Sequence, residues 1–200
     1  DRVNLVIWGP MVEYFRIGNR ICEERRIDSK VPLRKTISGD IYVSTDFMIL
    51  TQERHNVDVS LRTALKSASG NDYSNARYYD NAGYFFDAAI GRKFVLNPGR
   101  SDLSISASGG FLCWQTDNGR QNDAVMYGLR LSYRYRGLSL STEYGGYSGW
   151  EKDGDSPMTL KTNLSSRYGN LIFSIGHQVG LADWPFHQFR VGLSYILHKK

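Results

Sequence analysis

The most informative segment of the chain is residues 123–136, DAVMYGLRLSYRYR. Its residues alternate between two kinds along the chain. One side carries Val125, Tyr127, Leu129, Leu131, Tyr133 and Tyr135, and the other carries Met126, Gly128, Arg130, Ser132, Arg134 and Arg136. Because successive side chains of a β-strand point to opposite faces of its sheet, this alternation predicts a strand with one apolar and one charged face.

The same alternation recurs along most of the chain. It begins again near Ile41, Val57, Tyr84, Leu103, Leu138, Met158, Leu171 and Phe189, and less regularly near Val3, where a first strand over residues 3–17 is interrupted by Pro10. Many of these segments exceed the roughly 5–6 residues usual for strands of globular proteins. A tilted strand needs roughly 9–11 residues to cross a bilayer, so their length favours a membrane barrel.

The links between these segments alternate in length. The long links are residues 19–36, 67–75, 117–122 and 148–157, and the short ones are 51–54, 96–100, 136–137 and 168–170. Outer-membrane barrels have short periplasmic turns, longer extracellular loops and an even number of strands. We therefore predict an all-β fold, a closed antiparallel up-and-down transmembrane β-barrel of about ten strands, with eight as the alternative. Residues 1–200 would form this single domain, with both termini in the periplasm.

The segment 190–197, RVGLSYIL, resembles the β-signal of bacterial outer-membrane β-barrel proteins. The matching positions are Arg190, Gly192, Tyr195 and Leu197, although Leu197 stands where phenylalanine is common and three residues follow it. In that family the last strand carries this signal to the barrel-assembly machinery. The resemblance implies an integral protein of the bacterial outer membrane, with that machinery, membrane lipid and lipopolysaccharide as its partners.

The polar sides of the predicted strands carry many charges. They are Asp46, Asp58, Arg62, Lys66, Asp87, Arg130, Arg134, Glu143, Lys161, Arg167 and Arg190. Charges kept out of lipid must pair or be hydrated, so we expect ion pairs across the lumen. A barrel of about eight strands is filled by its side chains, whereas wide channels need about 16–18 strands. We predict a structural or surface-interaction barrel, or a narrow pore in which the basic excess favours anions.

Aromatic rings and cysteines give two further expectations. Rings prefer the membrane interfaces, and the topology puts Tyr133, Tyr135 and Tyr195 at the periplasmic rim and Trp150, Trp184 and Phe186 at the extracellular rim. Cys22 and Cys113 fall on the same side of the membrane in an oxidising compartment, so a disulfide is a candidate, with two free thiols as the alternative.

Other functional classes are less favoured. The formal charge of +5 is spread along the chain and forms no basic run or helix face, so nucleic acid is not a predicted partner. The two cysteines form no C-x-x-C motif, and we predict no cofactor and no metal site.

The second hypothesis is a membrane-embedded hydrolase, either lipid A deacylase-like or omptin-like. His177 and His187 lie on the apolar parity near the extracellular end, but no serine shares that side, and counting along the hairpin puts Leu160 or Thr162 beside His177. No omptin-like motif is visible. The enzyme question is therefore left open, with a non-enzymatic protein favoured. A third alternative, a soluble lipocalin-like barrel, reverses the two faces.

Overall fold

The structure is a computed structural model that describes residues 2–24, 33–71, 80–115, 121–150, 155–183 and 185–196. Within these ranges the chain forms strands and two short helices. The strands are β1 (Val3–Trp8), β2 (Glu13–Arg16), β3 (Arg34–Ile37), β4 (Tyr42–Leu50), β5 (Asp58–Lys66), β6 (Gly83–Asn97), β7 (Ser101–Gln115), β8 (Gln121–Tyr135), β9 (Leu138–Gly149), β10 (Met158–Tyr168), β11 (Leu171–Ala182) and β12 (His187–Tyr195), and the helices are α1 (Asn19–Glu24) and α2 (Gln52–His55).

Ten of the strands form one antiparallel sheet. Their order is β1-β4-β5-β6-β7-β8-β9-β10-β11-β12, so β1 and β12 stand at its two ends, and β2 pairs with β3 in a separate small sheet. The prediction of an all-β chain with about ten antiparallel strands is confirmed at this level. No helix in the described part of the chain is both long enough and apolar enough to span a membrane.

The predicted first strand over residues 3–17 is wrong. The segment is divided between β1, which pairs with β4, and β2, which pairs with β3. Proline has no N–H to donate to a ladder, and the carbonyl of Pro10 instead accepts a bond of 2.8 Å from the N–H of Gly39. The link predicted at 19–36 also contains structure, namely α1 and β3. Phe15 of β2 and Ile37 of β3 are buried, and Ile17 and Cys22 pack against them.

The tight turns agree with the sequence. Arg136 and Gly137 alone connect β8 to β9, and two residues, Gly169 and Asn170, connect β10 to β11. Both turns use a left-handed residue, with φ of 52° at Arg136 and 58° at Gly169. The link predicted at 51–54 overlaps α2, whose C-cap residue Asn56 has a φ of 64°.

By its internal contacts the chain divides into two compact units. The first comprises Asp1–Phe47, Arg62–Phe86 and Leu112–Asp123, and the second comprises Met48–Leu61, Asp87–Phe111 and Ala124–Lys200. That residues 1–200 form a single domain stays a prediction.

Most large apolar side chains are exposed, which is the opposite of a soluble core. In the second unit Leu129, Leu131, Phe173 and Leu193 are 57%, 50%, 52% and 66% exposed, and in the first unit Leu5 is 66% exposed. Buried apolar residues in the described part of the chain are few, and half of them are small. They are Phe15, Ile37, Ala64, Leu112, Cys113 and Ala124. The apolar side chains named here in β1, β8, β11 and β12 are therefore exposed and are not packed into a protein core.

Close strand packing at Gly146 gives a first prediction. Gly146 in β9 lies opposite Met158 in β10, and a Cβ atom there would clash with the carbonyl oxygen of Pro157 and lie 3.1 Å from the Met158 Cα. We expect Gly146→Ala to lower the free energy of unfolding by about 1–3 kcal/mol, since overpacked backbone must shift.

Gly109→Ala is the matched control. Gly109 lies within β7, and a Cβ there would meet nothing within 4 Å. This substitution should change stability by no more than about 1 kcal/mol, in the stabilising direction if the unfolded chain loses entropy. Denaturant titration of both variants measures the difference. Equal losses at the two positions would contradict the assigned contact between Gly146 and Pro157.

Candidate functional site

An ion-paired triad lies on the polar side of β8, β9 and β10. The register puts Arg130 and Lys161 directly opposite Glu143 on its two neighbouring strands. Arg130 Nη1 lies 3.1 Å from Glu143 Oε1, and Lys161 Nζ lies 3.2 Å from Glu143 Oε2. Since all three side chains are at least one third exposed, such pairs contribute little stability. Their effect is to hold two cations around one carboxylate.

The same row of polar residues continues onto β11 and β12. Lys161 lies opposite Gln178, and Gln178 lies opposite Gln188. The side-chain oxygen of Gln178 accepts a hydrogen bond from Arg190 Nη2. The triad therefore belongs to a polar strip that crosses five adjacent strands within the second unit.

A second ion pair involves Asp102, which the sequence analysis missed. Arg134 donates to Asp102 Oδ2 from Nε at 2.8 Å and from Nη2 at 2.5 Å, while Lys93 Nζ lies 3.7 Å from the same oxygen. Asp102 has the parity of Ser104 and Ser106, so extending the alternation of β7 by one step would have found it.

These residues border a cavity of about 470 Å³ in the second unit. Its charged lining residues are Lys93, Arg100, Asp102, Arg134, Arg136 and Arg167. Ser101, Ser139 and Ser165 add hydroxyl groups. Five basic side chains against one carboxylate leave a formal excess of four positive charges on the described lining.

Lys66, predicted as a lumen charge, belongs to a buried network in the first unit. Its ammonium donates to the Asp40 carboxylate and to the side-chain and backbone oxygens of Asn81. Lys66 is 5% exposed and Asp40 is fully buried. The Asn81 amide in turn donates to the Gln115 carbonyl at 2.6 Å. Asp40 was not among the predicted polar-side charges, although it has the parity of Ser44 and Asp46.

Asp40 also holds backbone from other segments of the first unit. Its Oδ1 accepts hydrogen bonds from the N–H groups of Ser69, Gly70 and Asp80, at 2.9, 2.7 and 3.0 Å. One carboxylate thus satisfies three backbone donors and one ammonium. A buried carboxylate with this many donors fixes the local backbone, so Lys66 and Asp40 are structural residues.

The other predicted charges lie in separate surroundings. Asp46 lies opposite Asn4, and the Asp58 carboxylate accepts a bond of 2.6 Å from the N–H of Gln52, next to α2. The Arg62 guanidinium lies 5.4 Å from the centre of the Phe85 ring. Asp87 is buried, and Arg167 Nε donates to the Gly169 carbonyl at 2.9 Å. The expected charges are thus only partly gathered into one network.

The candidate disulfide is not formed. Cys22 and Cys113 are both free thiols in the structure. Cys22 packs against the buried pair Phe15 and Ile37, whereas Cys113 is 2% exposed within β7. Each sulfur therefore packs in its own surroundings. The candidate disulfide is wrong, and the alternative of two free thiols is the one found in the structure.

The predicted rim aromatics lie at opposite ends of the strands. Tyr133 and Tyr135 end β8 and Tyr195 ends β12, and these strands run in the same direction. All three rings are more than 40% exposed. Trp150 follows the end of β9 and is 68% exposed, and Phe186 precedes β12. Trp184 lies outside the described residues.

The residues of the proposed assembly signal lie in or after the last strand. Arg190, Gly192 and Tyr195 belong to β12, while Leu197 lies outside the described residues. A Cβ at Gly192 would come within 2.6 Å of Ser174 Oγ. Gly192 therefore allows β12 to lie close to the Ser174 side chain of β11.

The two histidines on the apolar side pack against each other. His177 Nε2 lies 3.1 Å from His187 Nδ1, and the His177 ring stacks on Phe189 at 4.6 Å. Thr162 is the residue opposite His177 in β10, as hairpin counting predicts. This arrangement is an aromatic stack and gives no support to a nucleophile with an oriented base.

No group of three or more His, Cys, Asp or Glu side chains in the described ranges is arranged to hold a metal ion. Comparison of the chain with protein-family models and with curated proteins finds no match. The features of the chain that bear on its function are the two faces of the sheet and the basic cavity.

Proposed function

We propose that this chain is an integral outer-membrane β-barrel with a charged lumen, acting as a narrow pore that prefers anions. The observation that carries the proposal is the exposure of the apolar faces, exemplified by Leu129, Leu131 and Leu193, combined with ion pairs on the opposite side. Soluble monomers rarely expose apolar patches larger than a few hundred Å². Hydrocarbon is the environment that suits such a face.

Strand length and sheet edges support the same proposal. The strands β6 to β11 contain 11–15 residues, against the roughly 9–11 needed to cross a bilayer. An open sheet edge has unpaired N–H and C=O groups, and each would cost several kcal/mol in lipid. We propose that β1 and β12, the end strands of the ten-stranded sheet, pair with each other and close the barrel.

The basic excess of the second unit supports the preference for anions. The triad of Arg130, Glu143 and Lys161 carries two cations for one carboxylate, and the lining of the basic cavity has five basic residues for one carboxylate. A passage lined mainly by cations attracts anions and repels other cations. If side chains fill the lumen completely, the protein would conduct no ions and would be a structural or surface-interaction barrel instead of a pore.

The other two hypotheses receive less support. A lipocalin-like barrel requires the apolar side chains to fill the interior, whereas they are the exposed ones in the described strands. The hydrolase requires an activated nucleophile, but the His177 ring contacts His187 and Phe189. Lipopolysaccharide, other outer-membrane lipids and the barrel-assembly machinery remain the proposed partners.

Gel migration and conductance test the proposal together. We expect the full chain, refolded into lipid vesicles, to migrate differently on gels before and after boiling, because a closed barrel resists detergent until heated. In planar bilayers under a KCl gradient, we expect a small conductance with a reversal potential of the sign for chloride preference. A chain that stays monodisperse in buffer without detergent would overturn the membrane assignment. Heat-dependent migration without conductance would overturn the pore and leave the structural barrel.

A further inference from the structure

Three hairpin ends meet at the basic cavity of the second unit. The N–H of Arg136 donates to the Arg100 carbonyl at 2.6 Å, and the N–H of Arg167 donates to the Gly137 carbonyl at 2.9 Å. These backbone bonds bring three arginines onto adjacent chain segments. Like charges on neighbouring strands destabilise a sheet, so the arrangement calls for a counter-charge.

The described side chains supply only part of that counter-charge. Asp102 is taken up by Arg134 and Lys93, and the Arg136 guanidinium lies 5.3 Å from the Tyr135 ring at the edge of the cavity. Among the described residues, Arg100 has no side-chain partner, and Arg167 uses only its Nε, for the Gly169 carbonyl. Several guanidinium N–H groups are therefore available to a ligand.

The chemistry of these donors selects the ligand class. Guanidinium groups bind phosphate oxygens through paired, charge-assisted hydrogen bonds. Ser101, Ser139 and Ser165 in the lining add hydroxyl donors for further oxygens. The cavity volume of about 470 Å³ falls within the range of small-molecule sites. A tetrahedral anion with several oxygens uses such a lining more fully than chloride does.

We propose that this cavity is a binding site for a small phosphate-bearing solute, held by Arg100 and Arg167. The inference deepens the proposed function, since it gives an anion-preferring lumen a specific site at the end where the tight turns lie. The binding itself depends only on the geometry of the second unit. It can therefore be measured without conductance.

Calorimetric titration of the full chain in detergent tests the site, with pyrophosphate and inorganic phosphate as the probes. At low ionic strength we expect pyrophosphate to bind more tightly than phosphate, because the cavity offers several cations. The double variant R100Q/R167Q should weaken pyrophosphate binding by about tenfold or more. The matched control is Arg54→Gln in α2, an exposed arginine of the same unit that does not line the cavity. It should change affinity by less than about twofold.

Stability provides a readout that is independent of binding heat. Pyrophosphate should raise the unfolding midpoint of the wild type and of R54Q but leave that of R100Q/R167Q unchanged, because a ligand stabilises only the form that binds it. If R54Q weakens pyrophosphate binding as much as R100Q/R167Q does, the anion is attracted by the overall charge and the proposed site is wrong. The site is also wrong if the wild type gives no binding heat with either probe. Binding without conductance would contradict the proposed pore and would still support the binding site. Conductance without binding would contradict the binding site and would still support the pore.

Discussion

Leu131→Arg is expected to lower the free energy of unfolding in lipid vesicles by about 2–4 kcal/mol. Leu131 lies in the middle of the apolar side of β8 and is 50% exposed. If that side faces hydrocarbon, an arginine there must lose its hydration, and the cost on the lipid face of a barrel is of this size near the bilayer midplane. Denaturant unfolding in vesicles, followed by tryptophan fluorescence, measures it.

The neighbouring substitution Ser132→Arg is the control. It adds the same charge one residue later, on the polar side of the same strand, opposite Ser141. We expect a cost below about 1 kcal/mol, because the added charge on the polar side of the strand does not enter hydrocarbon. If the protein is soluble and its apolar side meets water, Leu131→Arg should instead change stability by less than about 0.5 kcal/mol. That result would remove the membrane proposal.

Asp40→Ala is expected to have the largest effect on stability, a loss of about 3–5 kcal/mol. The substitution leaves the buried Lys66 ammonium without its carboxylate and removes the acceptor for the N–H groups of Ser69, Gly70 and Asp80. Buried charges and donors that lose their partners carry their full desolvation cost. Equilibrium denaturation in one detergent measures the loss.

Three further variants separate the causes. Lys66→Met should cost less than Asp40→Ala, about 1–3 kcal/mol, because Asp40 keeps its three backbone donors. Asp40→Asn should fall between them, since an amide oxygen still accepts from the backbone. Asp46→Ala, which removes a half-buried carboxylate from the same unit, should cost less than about 1 kcal/mol. Equal losses for Asp40→Ala and Asp46→Ala would contradict the structural role of Asp40.

Strand identity was predictable because its signal is local. The alternation around Leu129 and Arg130 predicts both the strand and its two faces, and the structure has β8 there with Leu129 exposed. The tight turns at 136–137 and 168–170 were also predicted. Glycine favours the left-handed conformation found at Gly169, whereas the left-handed residue of the first turn is Arg136. Counting along that hairpin left Leu160 and Thr162 as the alternatives opposite His177, and the structure has Thr162 there.

The first forty residues were much less predictable. Pro10 marked a break, but nothing in the local pattern indicated that β2 would pair with β3 in a sheet of its own. The packing of Cys22 against Phe15 and Ile37 depends on that pairing. The choice between a disulfide and two free thiols could not be made from the sequence for this reason, since parity alone does not show which neighbours a side chain will contact.

Beyond the first forty residues, the sequence by itself determined where the strands lie and which side of each is apolar, because alternation with a period of two is visible in consecutive residues. The tertiary structure alone decided which charges meet. Glu143 is shared by Arg130 and Lys161, Arg134 binds Asp102, and Lys66 is buried with Asp40. The partners in each ion pair lie on different strands and are far apart in the chain. Which charges pair therefore depends on the register of the strands and on burial, which the tertiary structure sets.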